Sequence, residues 1–403
     1  MTRWIPLALA LCASIGTSCS APDYDRELPA GWAPLLPLPE GAEPPPVAES
    51  WDNREEILPA LDRSIEWLKR PHAERYFPQA GISLDRTLAS CVRLAQLLRE
   101  MPDARAFQRA FDREFEPFIS AGWNGRGGGV QYTAYYTPIF EGSLEPVGAY
   151  QYPLYGRPDD LVTDQDGRVL GQRGSEGYPY PSRSSIEKYG LLEGRNLEVV
   201  WLRSAMDAYL CHVQGSAVVE LTNGDELRLG FAGTNGREYT SLAEQLVNDG
   251  ELSASQRGVP AIRAWADEHP ELVENYLHRN ERYVFFTPIV GRPHGSLDFP
   301  VTPLVTLATD KSVFPRAAPV FVDSELSTGF GRGTRPFRAV MVDQDTGGGI
   351  RTAGRADIYV GLGDEAGEIA GRTASEGQLY YLLIKEDLVS EYAYEGASDW
   401  QLR

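Results

Sequence analysis

The stretch Asp345-Thr-Gly-Gly-Gly-Ile-Arg-Thr-Ala-Gly-Arg-Ala-Asp357-Ile-Tyr-Val-Gly361 constrains this chain more than any other, because two carboxylates twelve positions apart enclose a glycine-rich run. Phe337 to Val342 ahead of it is apolar and β-prone. Ala356 to Val360 behind it reads as a second short strand, with Asp357 on the face opposite Ile358. Gly347, Gly348, Gly349 and Gly354 permit positive φ and close approach of backbone to another group. The pattern is strand, turn, strand, with an acid at each end. Alone it suits a surface hairpin with solvated acids as well as it suits a reactive site.

The 403 residues are enough for two domains or one large one. A formal charge of −19 argues against nucleic acid as a partner, since that interaction needs basic groups to displace phosphate counterions. The first residues carry one basic group, Arg3, then an apolar segment from Trp4 to about Ile15, then small residues, the pattern of an export signal over 1–18. Cys19 follows Gly16-Thr-Ser18, which is similar to the site at which bacterial lipoproteins are cleaved and acylated, so Cys19 is the expected lipidation site. The expected location is periplasmic, as an outer-membrane lipoprotein that meets the membrane through its lipid only. Cys91 and Cys211 lie in apolar patterns; pairing in an oxidising compartment and burial as free thiols both remain open.

From Pro22 to Pro46 there are eight prolines in twenty-five residues, which suits an extended tether over 19–50. Leu58, Leu61, Ile65 and Leu68 then fall at helical spacing. Ser83 is placed to cap a second helix bearing Leu84, Leu88, Cys91, Ala95 and Leu98, and Phe107, Phe111 and Phe115 mark a third. After Gly125-Arg-Gly-Gly-Gly129 the character turns to β. Strands are expected over Val130 to Pro138, Tyr150 to Tyr155, Glu198 to Leu202 and Cys211 to Gln214, with a hairpin turning at Asn223-Gly224. Helices return at Tyr239 to Asn248, Pro260 to His269 and Pro270 to Arg279, and β patterns resume from Tyr283. The order α, β, α, β predicts an outer domain, 51–138 plus 239–403, interrupted by an inserted β domain at 139–238.

Metal and nucleophile chemistry find little support. The five histidines show no ligand spacing and there is no GxSxG motif. Asp345-Thr-Gly347 spells the motif of aspartic proteases, but that chemistry needs two such aspartates and no second copy exists. Twenty tyrosines and a few acids in β-loop settings leave carbohydrate chemistry open.

Tyr132-Thr-Ala-Tyr-Tyr-Thr-Pro138, Gln151-Tyr-Pro-Leu-Tyr155, Val213-Gln-Gly-Ser216, Gly230 to Ser241, Tyr283-Val-Phe-Phe286, Val301-Thr-Pro303 with Leu307-Ala-Thr-Asp310, and Asp345-Thr-Gly-Gly through Asp357-Ile-Tyr359 resemble, in the same order, the motifs of the membrane-bound lytic murein transglycosylase A family. The resemblance covers roughly residues 120 to 385. It implies a mainly β fold with helices, in which a double-psi β-barrel domain is interrupted by a second β-barrel domain, with a groove for peptidoglycan glycan strands between them. It also implies a monomer that uses no metal or organic cofactor. Three aspartates known in the family map onto Asp310, Asp345 and Asp357. The catalytic acid corresponds to Asp357, which would protonate the oxygen of a MurNAc-β-1,4-GlcNAc bond and then act as base on the C6 hydroxyl of the same MurNAc, closing a 1,6-anhydro ring. By the same resemblance Thr133, Tyr135 and Tyr136 line the groove, and Asn235, Tyr239 and Ser241 are further substrate-binding candidates. Gly349 departs from the alanine usual after the glycine pair, Arg351 from a lysine and Thr352 from a common glycine. A glycoside hydrolase using Asp357 with Asp345, or a non-catalytic wall-binding lipoprotein, are the alternatives.

Overall fold

The computed structural model describes residues 22–165, 167–253, 256–331 and 333–398; the export signal at 1–18 and Cys19 lie outside them. Two barrels organise the chain. In the first, the strands Val130–Thr137, Arg355–Leu362, Thr306–Ala308, Thr334–Asp345, Pro319–Ser327 and Ser375–Ile384 pair in that order, and Ser375–Ile384 pairs back with Val130–Thr137 to close the ring. Closure removes the exposed edges that an open sheet would present. Its interior is filled by Tyr132, Val320, Val322, Met341, Ile358 and Leu379. In the second, Val284–Ile289, Glu226–Thr234, Ala217–Leu221, Ile139–Ser143, Glu198–Leu202 and Tyr152–Tyr155 form a six-stranded sheet that curls until Gly156 bridges Phe286, so it is nearly closed. The fold is thus the expected double-psi barrel with a second barrel beside it.

Three helices cover one side of the first barrel. Arg54–Leu68, Leu84–Glu100 and Ala104–Glu114 bury Ile57, Leu61, Leu94, Phe107 and Phe111 against Phe321, Val340 and Leu382 of the strands. Ser83 caps the second as its sequence suggests, its Oγ accepting from Arg86 N at 3.1 Å. Phe115 is not on the third helix but opens the strand Phe115–Ser120; it still stacks on Phe111 at 4.7 Å, which is why its spacing imitates a further turn. Inside this barrel wall the fully buried Asp343 carboxylate pairs with Lys311 and accepts from Thr309 Oγ1 at 2.8 Å and Tyr381 Oη at 2.7 Å.

Four expectations are corrected. Cys211 to Gln214 is the end of the helix Ala205–Gln214, capped by Ser204 at its start and closed by Gly215 in the left-handed region at φ 74°; a short apolar run does not distinguish a strand from a buried helical turn. The helix expected from Tyr239 begins instead at Leu242 with Ser241 as its N-cap. The inserted unit does not end at 238. Val284–Ile289 pairs with Glu226–Thr234, and the helices Leu242–Asn248, Val259–Glu268 and Pro270–Leu277 pack with Met206, Tyr209 and Leu210, so the second barrel extends to 289. Within 19–50, the residues from 22 onward are not a free tether. Leu35–Pro37 pairs with Phe115–Ser120, Val47 is fully buried, and the arm is bonded to the strand of Asp357. Cys91 and Cys211 are free buried thiols in separate clusters, one under the helices and one in the second barrel.

Candidate active site

The short strand Thr306–Ala308 places the acids. It pairs in parallel with Thr334–Asp345, setting Ala308 opposite Asp345, and antiparallel with Arg355–Leu362, setting Ala308 opposite Asp357. Two carboxylates separated by a glycine-rich loop in sequence therefore flank one small residue on a common floor. On the other side of Asp357, the parallel partner is Thr133. All four residues line a cleft of about 2400 Å³, walled by residues of both barrels and by the N-terminal arm.

The two acids are held differently. Asp345 is half-buried and nearly saturated: Oδ2 accepts from Tyr135 Oη at 2.7 Å, and Oδ1 accepts from the backbone N–H groups of Ser296 and Thr346, each at 2.8 Å. Burial raises its pKa, while hydrogen bonding from Tyr135, Thr346 and Ser296 opposes the rise. Asp357, also half-buried, has one inaccessible oxygen, Oδ1, with no hydrogen-bond partner among the described residues. Desolvation pushes its pKa up to about 6, against hydrogen bonding from Thr133 and the nearby Arg355 charge, with the Asp345 charge adding to the rise. A carboxyl of this kind stays protonated under mildly acidic conditions and can give up its proton to a substrate atom.

Asp310 occupies the same cleft but is engaged with backbone. Its Oδ1 accepts from Ser312 N at 2.9 Å and Ser312 Oγ at 2.6 Å, and its Oδ2 accepts from Thr352 N at 2.9 Å. Thr352 sits at φ 70°, a left-handed conformation that a β-branched residue rarely adopts. Two contacts hold it there, the Asp310 bond to its N–H and its own hydroxyl donating to Tyr24 O at 2.7 Å. This loop thus carries a β-branched residue at a position of positive φ.

Gly348 and Gly354 serve close approach instead, whereas a Cβ at Gly349 would make only an ordinary contact with Tyr239. A Cβ at Gly348 would lie 2.9 Å from Arg282 Nε, and one at Gly354 would lie 2.6 Å from Tyr24 O and 3.2 Å from Trp123 Cα. The last two atoms are backbone and cannot rotate aside, so Gly354→Ala is expected to cost about 1–3 kcal/mol. Urea unfolding measures the loss; a midpoint matching the parent chain would show that the arm yields without cost.

Of the other candidates, Tyr135, Tyr239 and Ser241 line the cleft; Ser241 also caps its helix, and the Tyr239 ring lies against Gly349. Tyr136 is buried, with its ring against Gly367 of the helix Gly363–Ala370, and is not among the residues that line the cleft. Asn235 is fully buried and acts as a crosslink, donating to Pro181 O and Glu281 O and accepting from Tyr283 N. Neither is brought to the acids. Sequence reasoning missed Arg355, which lies two positions before Asp357 on the same strand face, a relation that strand alternation could have revealed. It also missed Tyr24 and Asp25 of the arm, for which the sequence holds no signal; Asp25 pairs with Arg355 at 2.9 Å. Among the described residues, no group of three or more His, Cys, Asp or Glu side chains could hold a metal ion.

Two family models match the chain, the MltA specific insert domain over residues 131–287 and the 3D domain over residues 305–383. The membrane-bound lytic murein transglycosylase A of Escherichia coli is 31% identical over 259 residues, 63% of this chain and 66% of that protein. The crystal structure of a membrane-bound lytic murein transglycosylase from Agrobacterium tumefaciens superposes with a TM-score of 0.71 at 27% identity, covering 89% of this chain and 99% of the other. The lytic transglycosylase LtgG of Burkholderia pseudomallei is 30% identical with a TM-score of 0.51, covering 88% of this chain and 96% of that one.

Proposed function

Since the chain belongs to the membrane-bound lytic murein transglycosylase A family, we propose that it cleaves MurNAc-β-1,4-GlcNAc bonds of peptidoglycan to 1,6-anhydroMurNAc ends, with Asp357 as the single general acid and base. The observation that carries this reading is the inequality of the two acids: Asp357 keeps an unpartnered oxygen and a pKa near 6, while Asp345 is taken up by three donors. In the first step the protonated Asp357 carboxyl donates to the glycosidic oxygen as the bond from C1 to that oxygen breaks, and GlcNAc leaves with its hydroxyl restored. The carboxylate so formed accepts the C6 hydroxyl proton of the same MurNAc while that oxygen bonds to C1. The proton returns to Asp357 and no water is consumed. Asp345, fixed by Tyr135, supplies negative charge for the oxocarbenium-like transition state.

A hydrolase would need a second carboxylate free to activate water, and the donors around Asp345 favour the single-acid reading over that one. Mass spectrometry of digested murein separates the possibilities. Anhydro-muropeptides are the expected product; new reducing ends would mean hydrolysis, and an undigested sacculus would mean binding alone.

The pH profile follows from the same carboxyl. Its first step needs the protonated form, so kcat/KM on isolated glycan strands is expected to fall about tenfold per pH unit above about 6. A rate still level at pH 8 would remove Asp357 as the acid. The proposed setting is the periplasm, as a monomer anchored at the outer membrane through Cys19; loss of radiolabelled palmitate on Cys19→Ala tests the anchor.

A further inference from the structure

Two guanidinium groups in the cleft have no role in the steps above. Arg282, at the foot of the strand Val284–Ile289 of the second barrel, and Arg351, in the loop between Asp345 and Asp357, both line the cleft. Arg282 is half-buried, and burial lowers its pKa, with the Arg351 charge lowering it further. Two like charges have therefore been brought together, one of them partly desolvated.

Their partners do not explain the arrangement. Among the described residues no carboxylate forms an ion pair with either group, in a chain with 57 acidic and 38 basic residues. Arg282 reaches only the Arg237 carbonyl, at a long 3.4 Å, and Arg351 donates Nε to Gly348 O at 3.3 Å. Two acids of the same cleft are committed elsewhere, Asp345 to three donors and Asp310 to Ser312 and Thr352. The backbone also accommodates the pair, because Gly348 has no Cβ to strike the Arg282 guanidinium at 2.9 Å.

We propose that Arg282 and Arg351 form an anion subsite for a carboxylate carried on the lactyl arm of the MurNAc unit bound beside Asp345. An arginine fork matches a carboxylate in shape and charge, and binding one would relieve the repulsion between the two cations. The inference rests on the peptidoglycan reading above and deepens it, since a neutral glycan without lactyl groups has nothing to use this pair. The carboxylate has two sources, the peptide stem when the lactyl group is amidated, or the lactyl group itself once the stem has been removed.

Binding measured by calorimetry on the full chain carrying Asp357→Asn tests this without turnover. The ligands are soluble glycan strands with peptide stems, strands stripped of stems by an amidase, and neutral chitohexaose. Arg351→Gln and Arg282→Lys are each expected to weaken one or both carboxylate-bearing ligands about tenfold more than chitohexaose, with the stem-bearing or stripped strand showing the larger loss according to the source used. Arg282→Lys keeps the charge and guards against misfolding. Equal weakening of all three ligands, or weakening of none, overturns the subsite. Turnover by the parent chain on the same strands reads the transglycosylase reaction separately, so one reading can fail without the other.

Discussion

Asp357→Asn is expected to lower the release of anhydro-muropeptides by about 10²–10⁴-fold, the range that general acid–base catalysis supplies. In the proposed mechanism one group performs both proton transfers, so no second carboxylate takes over the return step, and Asp345 is held by three donors. The sign of the accompanying stability change distinguishes lost chemistry from a damaged fold. Asp357 has a folded-state pKa raised to about 6, so its contribution to stability is present below the ordinary carboxylate range and is lost as pH rises through about 6. Above that pH the parent chain carries a poorly solvated charge that asparagine removes. The variant should therefore unfold at higher urea concentration than the parent at pH 7.5, by on the order of 1–2 kcal/mol. An inactive variant with lowered stability would point to collapse of the cleft; an active one would displace Asp357 from the mechanism.

The largest expected loss of stability lies two residues before Asp345. Asp343→Ala leaves the Lys311 ammonium buried without its counter-charge and takes an acceptor from Thr309 and Tyr381. Breaking a buried pair by removing one partner costs about 3–5 kcal/mol. Burial already lowers the Lys311 pKa, with Asp343 holding it up, so the orphaned amine is expected to shed its proton rather than stay charged. Replacing both partners with apolar groups of similar size, Asp343→Leu with Lys311→Met, should recover much of the loss. Urea unfolding followed by circular dichroism measures all three chains. A single variant within about 1 kcal/mol of the parent would mean that the pair does little for the fold. Because Asp343 and Asp345 share one strand, the single variant should also lose activity wherever it stays folded.

Local patterns were legible wherever neighbours in sequence settle the structure. Ser83 capping its helix, the Asn223-Gly224 hairpin and the strand Glu198–Leu202 all follow from side chains within one element. The pattern misled where a distant contact decides. Phe115 continues a helical spacing yet starts a strand: its N–H still closes the helix on Phe111 O, but the residue pairs with Ile384 across the sheet. Tyr136 and Asn235 sit in motifs that resemble a groove lining, but packing turns one toward Gly367 and uses the other to tie Pro181 and Glu281 together. The proline-rich arm has no periodicity to read; its start is held by long-range bonds, Asp25 to Arg355 and Thr352 to Tyr24, whose partners lie more than three hundred residues away.

The sequence by itself determined the acids and the loop type between them. Asp345 and Asp357 at the ends of a glycine-rich turn follow from residue type and β alternation, and the ordered motifs carry the family resemblance. The tertiary structure alone decided which acid is saturated with donors and which keeps an unpartnered oxygen. That depends on Ser296 and Tyr135 reaching Asp345 from remote segments and on the lack of any partner for Asp357 Oδ1. It also decided what the glycines are for, since the positive φ falls on Thr352 while Gly348 and Gly354 admit Arg282 and Tyr24. The physical reason is the same in both cases: a carboxyl's pKa and a glycine's necessity are set by the atoms that surround them in space, and those atoms come from elsewhere in the chain.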